Sequence, residues 1–408
     1  MIFVCVPRGT MARTSLLLFC VTSSVCLAQV RDVLCAEGDG KFEAEFRGGI
    51  RVSVGAARNG ELATRACAGT LSWDKQELAV ASEASQLDVD GFGVDLGIGV
   101  PAVTFQMKKS ASDCCMAYQI YPLEKPPHLL RTITGGDFFS SCDTDLDGRV
   151  EIWTDDAAAV KGLENLALGE LDFVPTLVLR FSHGRLLDVS PEFQAYFDSE
   201  IAKVKAGLHS QDLQDFKNSD DRLTSPPSLA AEQLHRLRIT KIKVLEIVWS
   251  YLYSGREEQA WRALGEMWPA GDVSRIRTEI WNARARGIRA QTDGESTESS
   301  KSRKKHAQIF DAVSRSQSEG RLEISPPRMI LLRRPPVVMA QEQDQTGELL
   351  LDLVIDSAGK VRSAEPAGKV KWVDPELINA ASGWKFIPAF REGRPVASRL
   401  RLDVSLKQ

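Results

Sequence analysis

The sequence predicts a multidomain chain: a β-rich N-terminal domain, an α-helical middle domain and a small α+β domain at the C-terminus. Its 408 residues are too many for one compact core and suggest two or three domains. Apolar and polar residues alternate through residues 29–190, whereas apolar residues recur at helical spacing over residues 191–288. A polar segment without periodicity, residues 289–327, is predicted to be a flexible linker before the last domain, residues 328–408.

Residues 1–28 are typical of a secretory signal peptide. Arg13 provides a positive start, an apolar run follows at residues 16–21, and small residues lead to Ala28. Cleavage there would leave Gln29 first and place the protein in the periplasm or outside the cell, and either Met1 or Met11 can serve as the start. Without cleavage the segment would be a membrane anchor, although a bilayer span needs about 20 mostly apolar residues.

The charge and the sequence limit the classes of partner that we expect the chain to bind. A net charge of −4 gives no general attraction to nucleic acid, and no small-molecule substrate is evident. Export permits disulfides, but an odd number of cysteines after residue 28 leaves at least one thiol, and their pairing stays open. These cysteines are Cys35, Cys67, Cys114, Cys115 and Cys142.

Short alternating runs predict the strands of the first domain, at residues 42–46, 50–54, 103–107 and 176–181. The Gly- and Asp-rich residues 88–101 are predicted to be turns between strands. In the middle domain, residues 245–268 resemble a helical hairpin of the tetratricopeptide type. A plain helical bundle is the alternative, because no repeat of about 34 residues is visible.

The strongest metal-binding pattern in the sequence is an acidic loop at residues 143–151. Asp143, Asp145 and Asp147 alternate, Gly148 permits a sharp turn, and Glu151 follows. Hard cations such as Ca²⁺ prefer six to eight oxygen ligands, so we expect these four acidic residues to bind structural calcium. Residues 135–153 resemble the calcium loops of FG-GAP repeats.

Two acidic residues that follow the loop, Asp155 and Asp156, are expected to be solvated on a turn.

Three segments in the last domain appear in a distinctive order. "TGELLLDLVIDSAGKV" (346–361) predicts two strands around an Asp-x-x-Gly turn, "DPELINAASGWKFIPAF" (374–390) a helix and a strand, and "EGRPVASRLRLDVSL" (392–406) a turn and a final strand. Together they resemble the C-terminal domain of TonB-family proteins. Trp384, Phe386 and Pro388 match its Trp-x-Phe-x-Pro signature and are expected in its core.

This resemblance implies that an extended receptor peptide or envelope protein adds as a strand to an edge of the sheet. On the final strand, Leu400, Leu402 and Val404 should face the core. Arg399, Arg401 and Asp403 should face water or the partner.

The favoured hypothesis is therefore a non-enzymatic envelope binding or adaptor module. One alternative is a membrane-anchored TonB-type energy transducer for transport across the outer membrane. Another is a secreted hydrolase with an unrecognised site in residues 29–190. No Gly-x-Ser-x-Gly, His-Glu-x-x-His or phosphate loop supports a catalytic residue.

Overall fold

Mostly antiparallel sheets and seven α-helices form the part of the chain described by the computed structural model; the pairing of residues 310–311 with 398–399 is parallel. The structure describes residues 34–59, 62–110, 115–161, 163–165, 173–219, 223, 230–294, 308–312, 324–331, 348–367 and 375–405. The prediction of a mixed chain with β-rich and helical parts is confirmed. The predicted signal peptide, residues 1–28, lies outside the described residues. No described helix is long and apolar enough to cross a bilayer.

Two sheets formed by residues 35–134 enclose the first core. One is a meander with the strand order β2-β3-β4-β5, and the other has the order β1-β6-β7-β8-β9. Their strands are β1 (Cys35–Ala36), β2 (Phe42–Phe46), β3 (Ile50–Asn59), β4 (Leu62–Trp73), β5 (Gln76–Ala84), β6 (Gln86–Val94), β7 (Ala102–Lys108), β8 (Ala117–Pro122) and β9 (Arg131–Thr134). Alternate side chains such as Val52, Leu71, Leu87 and Phe105 pack between the sheets. A disulfide between Cys35 and Cys67 joins β1 to β4.

The prediction of turns at residues 88–101 is wrong where strand β6 forms. Residues 88–94, which the sequence places among turns, lie inside this strand. Leu87 and Val89 face the first core, whereas Asp88 and Asp90 point to the opposite face and are also buried. Carboxylates are tolerated here because each is paired with hydrogen-bond donors and a lysine from distant parts of the chain.

A third sheet, with the order β10-β11-β12-β13, carries the helices of the middle region. Its strands are β10 (Phe139–Cys142), β11 (Glu151–Asp155), β12 (Thr176–Ser182) and β13 (Arg185–Asp188). The helices are α1 (Ala157–Val160), α2 (Gln194–Ala206), α3 (Ser210–Lys217), α4 (Ala231–Tyr253), α5 (Glu257–Met267) and α6 (Val273–Gln291). Ile152 and Leu179 of the sheet share one apolar core with Val248, Trp249 and Ile280 of the helices.

The helices follow the apolar spacing of the sequence. The buried residues of α4 recur every three or four positions between Leu237 and Leu245, and from Ile247 to Tyr253 the helix is buried on several sides. Gly255 adopts a positive φ of 75° after this helix, which turns the chain into α5 and forms the helical hairpin.

The C-terminal region forms an α+β unit. Its main sheet has the order β14-β22-β17-β18, with two smaller sheets, β15-β20-β21 and β16-β19. The elements are β14 (Phe310–Asp311), β15 (Ile324–Ser325), β16 (Arg328–Leu331), β17 (Glu348–Ile355), β18 (Val361–Pro366), α7 (Pro375–Ser382), β19 (Lys385–Ile387), β20 (Ala389–Arg391), β21 (Arg394–Val396) and β22 (Ser398–Ser405). Trp384 and Phe386, each 1% exposed, pack with Leu377 of α7 and Leu353 of β17. The strands β14 and β15 arise from the segment predicted to be a linker.

Two buried ion pairs connect this unit to β6. Lys385 Nζ lies 3.1 Å from both carboxylate oxygens of Asp88, and Lys360 Nζ lies 2.7 Å from Asp90 Oδ1. Burial lowers the pKa of the Lys385 ammonium, while Asp88 opposes that change. Since the side chains of both aspartates are almost fully buried, each lysine supplies a charge that water cannot replace.

Apolar contacts reinforce the same junction. Ile387 and Phe390 belong to the core between the first two sheets, and the Phe390 ring lies 5.9 Å from that of Phe46. Gly93 permits this approach, because a Cβ at that position would lie 2.9 Å from Phe46 and 3.2 Å from Ile387. The C-terminal unit is therefore packed into the β-rich region.

Removing the lysine of one pair should destabilise the whole fold. We expect Lys385→Met to lower the free energy of unfolding by about 3 kcal/mol, because Asp88 would stay buried without its charge partner. The matched control is Lys125→Met, which removes an exposed pair with Asp74 and should cost less than about 1 kcal/mol. Urea denaturation measures both values. Equal small losses in the two variants would contradict this role for the buried pair.

Candidate functional site

The acidic loop between β10 and β11 brings three predicted metal ligands together. Carboxylate oxygens of Asp143, Asp145 and Asp147 all lie within 4.8 Å of one another. The chain reverses here through positive φ angles at Leu146 (60°) and Gly148 (85°), which turn alternate side chains toward one point. Such a cluster offers several oxygens to a hard cation.

One carboxylate oxygen in this cluster is buried and lacks a partner. Asp143 is fully buried, and its Oδ1 accepts no hydrogen bond within the described residues. Its Oδ2 accepts from the Gly148 amide at 3.0 Å and from the Ser357 hydroxyl at 2.8 Å. Burial, followed by the nearby Asp356 carboxylate, raises the pKa of Asp143 to about 7. A bound cation would satisfy the free oxygen and relieve the repulsion, so the residues present fit calcium.

The fourth predicted ligand, Glu151, lies apart from this cluster. Its carboxylate accepts from the Thr144 amide at 3.1 Å and lies 3.3 Å from Arg180 Nε. Burial raises the pKa of Glu151, and Arg180 works against that rise. The structure thus brings together three of the four predicted ligands. Glu151 instead binds the backbone of the loop at the Thr144 amide.

The acidic loop rests on the β17–β18 turn of the C-terminal unit. The Asp143 amide donates to Asp356 Oδ2 at 3.0 Å, and Arg362 Nη2 donates to the Thr144 carbonyl at 3.1 Å. Asp356 Oδ1 also accepts from the backbone amide of Lys360, which fixes the turn. No local pattern in the sequence predicts this contact, because the two segments are more than 200 residues apart.

The aspartates after the loop have a structural role. Asp155 and Asp156 are buried, so the prediction that they are solvated is wrong. Asp156 accepts from the Tyr253 hydroxyl at 2.5 Å and from the Gln291 amide at 3.3 Å, which ties the third sheet to α4 and α6. Burial raises the pKa of Asp155 to about 7 and that of Asp156 to about 6.

The predicted partner-binding residues lie on strand β22. Arg401 forms two hydrogen bonds with Asp352 of β17, at 2.7 and 2.8 Å, and Arg399 lies 3.8 Å from Asp311. Asp403 is exposed on the same face. Leu400 and Leu402 pack against the core of the unit, so the strand alternates as the sequence predicts.

Comparisons with protein families, with curated proteins and with solved structures find no match to this chain. The function is therefore inferred from the chemistry and geometry of these residues.

Calcium should stabilise the folded chain through the acidic loop. A ligand that binds only the folded state adds about 2.7 kcal/mol at a hundredfold excess over its dissociation constant. We expect millimolar calcium to raise the melting temperature of the wild-type protein, and Asp145→Asn to remove most of that rise.

The matched control is Asp215→Asn on α3, where the same change leaves the acidic loop intact and the calcium response should persist. Differential scanning calorimetry with and without calcium measures the effect. A wild-type melting temperature that does not respond to millimolar calcium would contradict a metal role for the loop.

Proposed function

We propose that this chain is an exported, non-enzymatic cell-envelope protein that binds an extended segment of an envelope partner along strand β22. The proposal rests on one observation: a single edge of this strand is only partly paired with another described strand. On one side β22 pairs with β17 along its whole length, from Ser398 to Ser405. On the other side, among the residues that the structure describes, β14 pairs with Ser398 and Arg399 alone.

The pattern of backbone hydrogen bonds defines the groups at this edge. Phe310 N donates to Ala397 O and Ala312 N donates to Arg399 O, so odd-numbered residues of β22 point toward β14. By the alternation of a strand, the amides and carbonyls of Arg401 and Asp403 face the same edge beyond Ala312. Within the described residues no strand pairs there. An extended peptide would continue the pairing that β14 begins.

The side chains along the edge favour a selective partner. Exposed charges discourage indiscriminate pairing between edges, and here Arg401 is held by Asp352 while Asp403 remains exposed. A partner with complementary charge would be preferred over a purely apolar strand. The resemblance of residues 328–408 to the TonB C-terminal domain supports the same mode of binding.

Calcium would have a structural role in this proposal. The loop that carries Asp143 contacts the turn at Asp356, and that turn joins β17 to β18. Asp143, Asp145 and Asp147 would hold the ion, which would supply positive charge at the junction. The sheet that presents β22 would then be fixed relative to the β-rich region.

Strand addition can be tested by photocrosslinking in cells. A photoreactive amino acid at position 403 should crosslink to one envelope protein, identified by mass spectrometry. Arg401→Pro should abolish the crosslink, because proline removes the amide that would bond to the partner. Arg401→Ala is the matched control, since it removes the side chain but keeps the amide, and it should retain the crosslink. A crosslink that persists in a folded Arg401→Pro variant, checked by circular dichroism, would contradict strand addition.

If the chain is exported and cleaved, its mature form should begin near Gln29 and be recovered from the periplasm or the medium. N-terminal sequencing of protein from fractionated cells measures this directly. Recovery of the full-length chain in washed inner membranes would instead favour the membrane-anchored energy transducer.

A further inference from the structure

A cavity of about 190 Å³ opens between β12 and the helices α2 and α4. It holds roughly the volume of six water molecules, which suits a small organic ligand. Tyr196, Phe197 and Glu200 line it from one face of α2, and Glu246, Trp249 and Tyr253 from one face of α4. The segment 173–176 closes the side toward the sheet.

Two polar groups of this cavity lack partners within the described residues. The indole Nε1 of Trp249 donates no hydrogen bond although the residue is fully buried. The Glu246 carboxylate, half-buried, has no hydrogen bond or ion pair there. The Tyr196 and Thr176 hydroxyls bond to each other at 2.9 Å, and the Tyr253 hydroxyl donates to Asp156. An unpaired buried donor is costly unless a ligand or water accepts from it.

Aromatic residues are five of the eleven residues that line the cavity. Trp249 and Tyr253 are stacked with their centroids 5.8 Å apart, and Tyr196 meets Phe197 edge to face at 5.1 Å. Phe173 completes this set. The faces of such rings are electron-rich and attract cations, most strongly where water is excluded. The Tyr253 ring already has one such contact, because the Arg284 guanidinium lies 5.3 Å from its centroid.

The charges around Glu246 favour a cation in the cavity. Burial and the nearby Glu200 carboxylate raise the pKa of Glu246 to about 7, and Lys203 and Lys243 oppose that rise. Neither lysine forms an ion pair with Glu246: Lys243 Nζ donates to the Gly207 carbonyl, and Lys203, which is largely exposed, lies 3.8 Å from Glu200. Two carboxylates thus share the cavity without a resident counter-ion on Glu246.

We propose that this cavity binds a small organic cation of the amino-alcohol class. The ammonium group would lie among the aromatic rings and beside Glu246 and Glu200, and the hydroxyl oxygen would accept from Trp249 Nε1. This site is independent of the strand edge on β22.

Isothermal titration of the full chain with choline tests the proposal, with 3,3-dimethylbutan-1-ol as its uncharged counterpart. Choline should bind, and the neutral alcohol should bind at least about tenfold more weakly. Glu246→Gln should weaken choline binding by about 10- to 100-fold, because a desolvated charge partner is lost. The matched control, Glu232→Gln, changes an exposed residue of the same helix and should leave affinity unchanged.

The affinity should also rise with pH. A cation binds the ionised form of Glu246, so protonation competes below a pKa of about 7, and affinity should increase from pH 6 to pH 8. This rise should be absent in Glu246→Gln. Equal affinity for choline and the neutral alcohol would overturn the proposal, as would the absence of binding by both choline and ethanolamine at millimolar concentration. Melting temperatures of the variants confirm that each is folded.

Discussion

The buried carboxylate of Asp90 is the point on which the arrangement of the sheets depends. Its Oδ2 accepts from the Tyr118 hydroxyl at 2.8 Å and from the amide and hydroxyl of Ser141 at 2.8 and 2.7 Å. Its Oδ1 accepts from Lys360 at 2.7 Å. The Asp90 side chain therefore connects strand β6 to β8, to β10 and to the turn between β17 and β18. A buried charge of this kind requires all of its partners, because none can be replaced by water.

The neighbouring Asp88 extends the same network. Gln106 donates to Asp88 and accepts from the Phe139 amide, while Lys385 approaches from β19. The acidic loop is joined to the β17–β18 turn by the Asp143 amide and the Ser357 hydroxyl, so the candidate calcium site includes groups more than 200 residues apart in the chain. A calcium ion there and the presentation of β22 would be coupled through the same turn.

The sequence predicted features that depend on local periodicity. Alternation identified β2, β3, β7 and β12, and helical spacing identified α4 and α5. Three of the four expected metal ligands converge because alternate residues of a tight loop face one point. These signals are contained within a few neighbouring residues.

Features that depend on distant partners could not be predicted. Residues 88–94 are composed like a turn, yet they form a central strand because Lys360 and Lys385 neutralise the two aspartates. Asp155 and Asp156 also resemble surface acids, but in the interior the Asp137 amide donates to the Asp155 carboxylate, and Tyr253 and Gln291 donate to that of Asp156. The cavity at Glu246 is formed by three elements whose contact the sequence does not encode locally.

The central claim is that the C-terminal unit and the β-rich region form one cooperative structure through Asp90. Native-state hydrogen exchange resolved by mass spectrometry tests this claim directly, because it measures the opening free energy of each segment. The account predicts that β17 and β6 open with similar free energies, and that Asp90→Asn lowers both together. If β17 and β18 open at a much lower free energy, and Asp90→Asn affects β6 alone, the claim is contradicted.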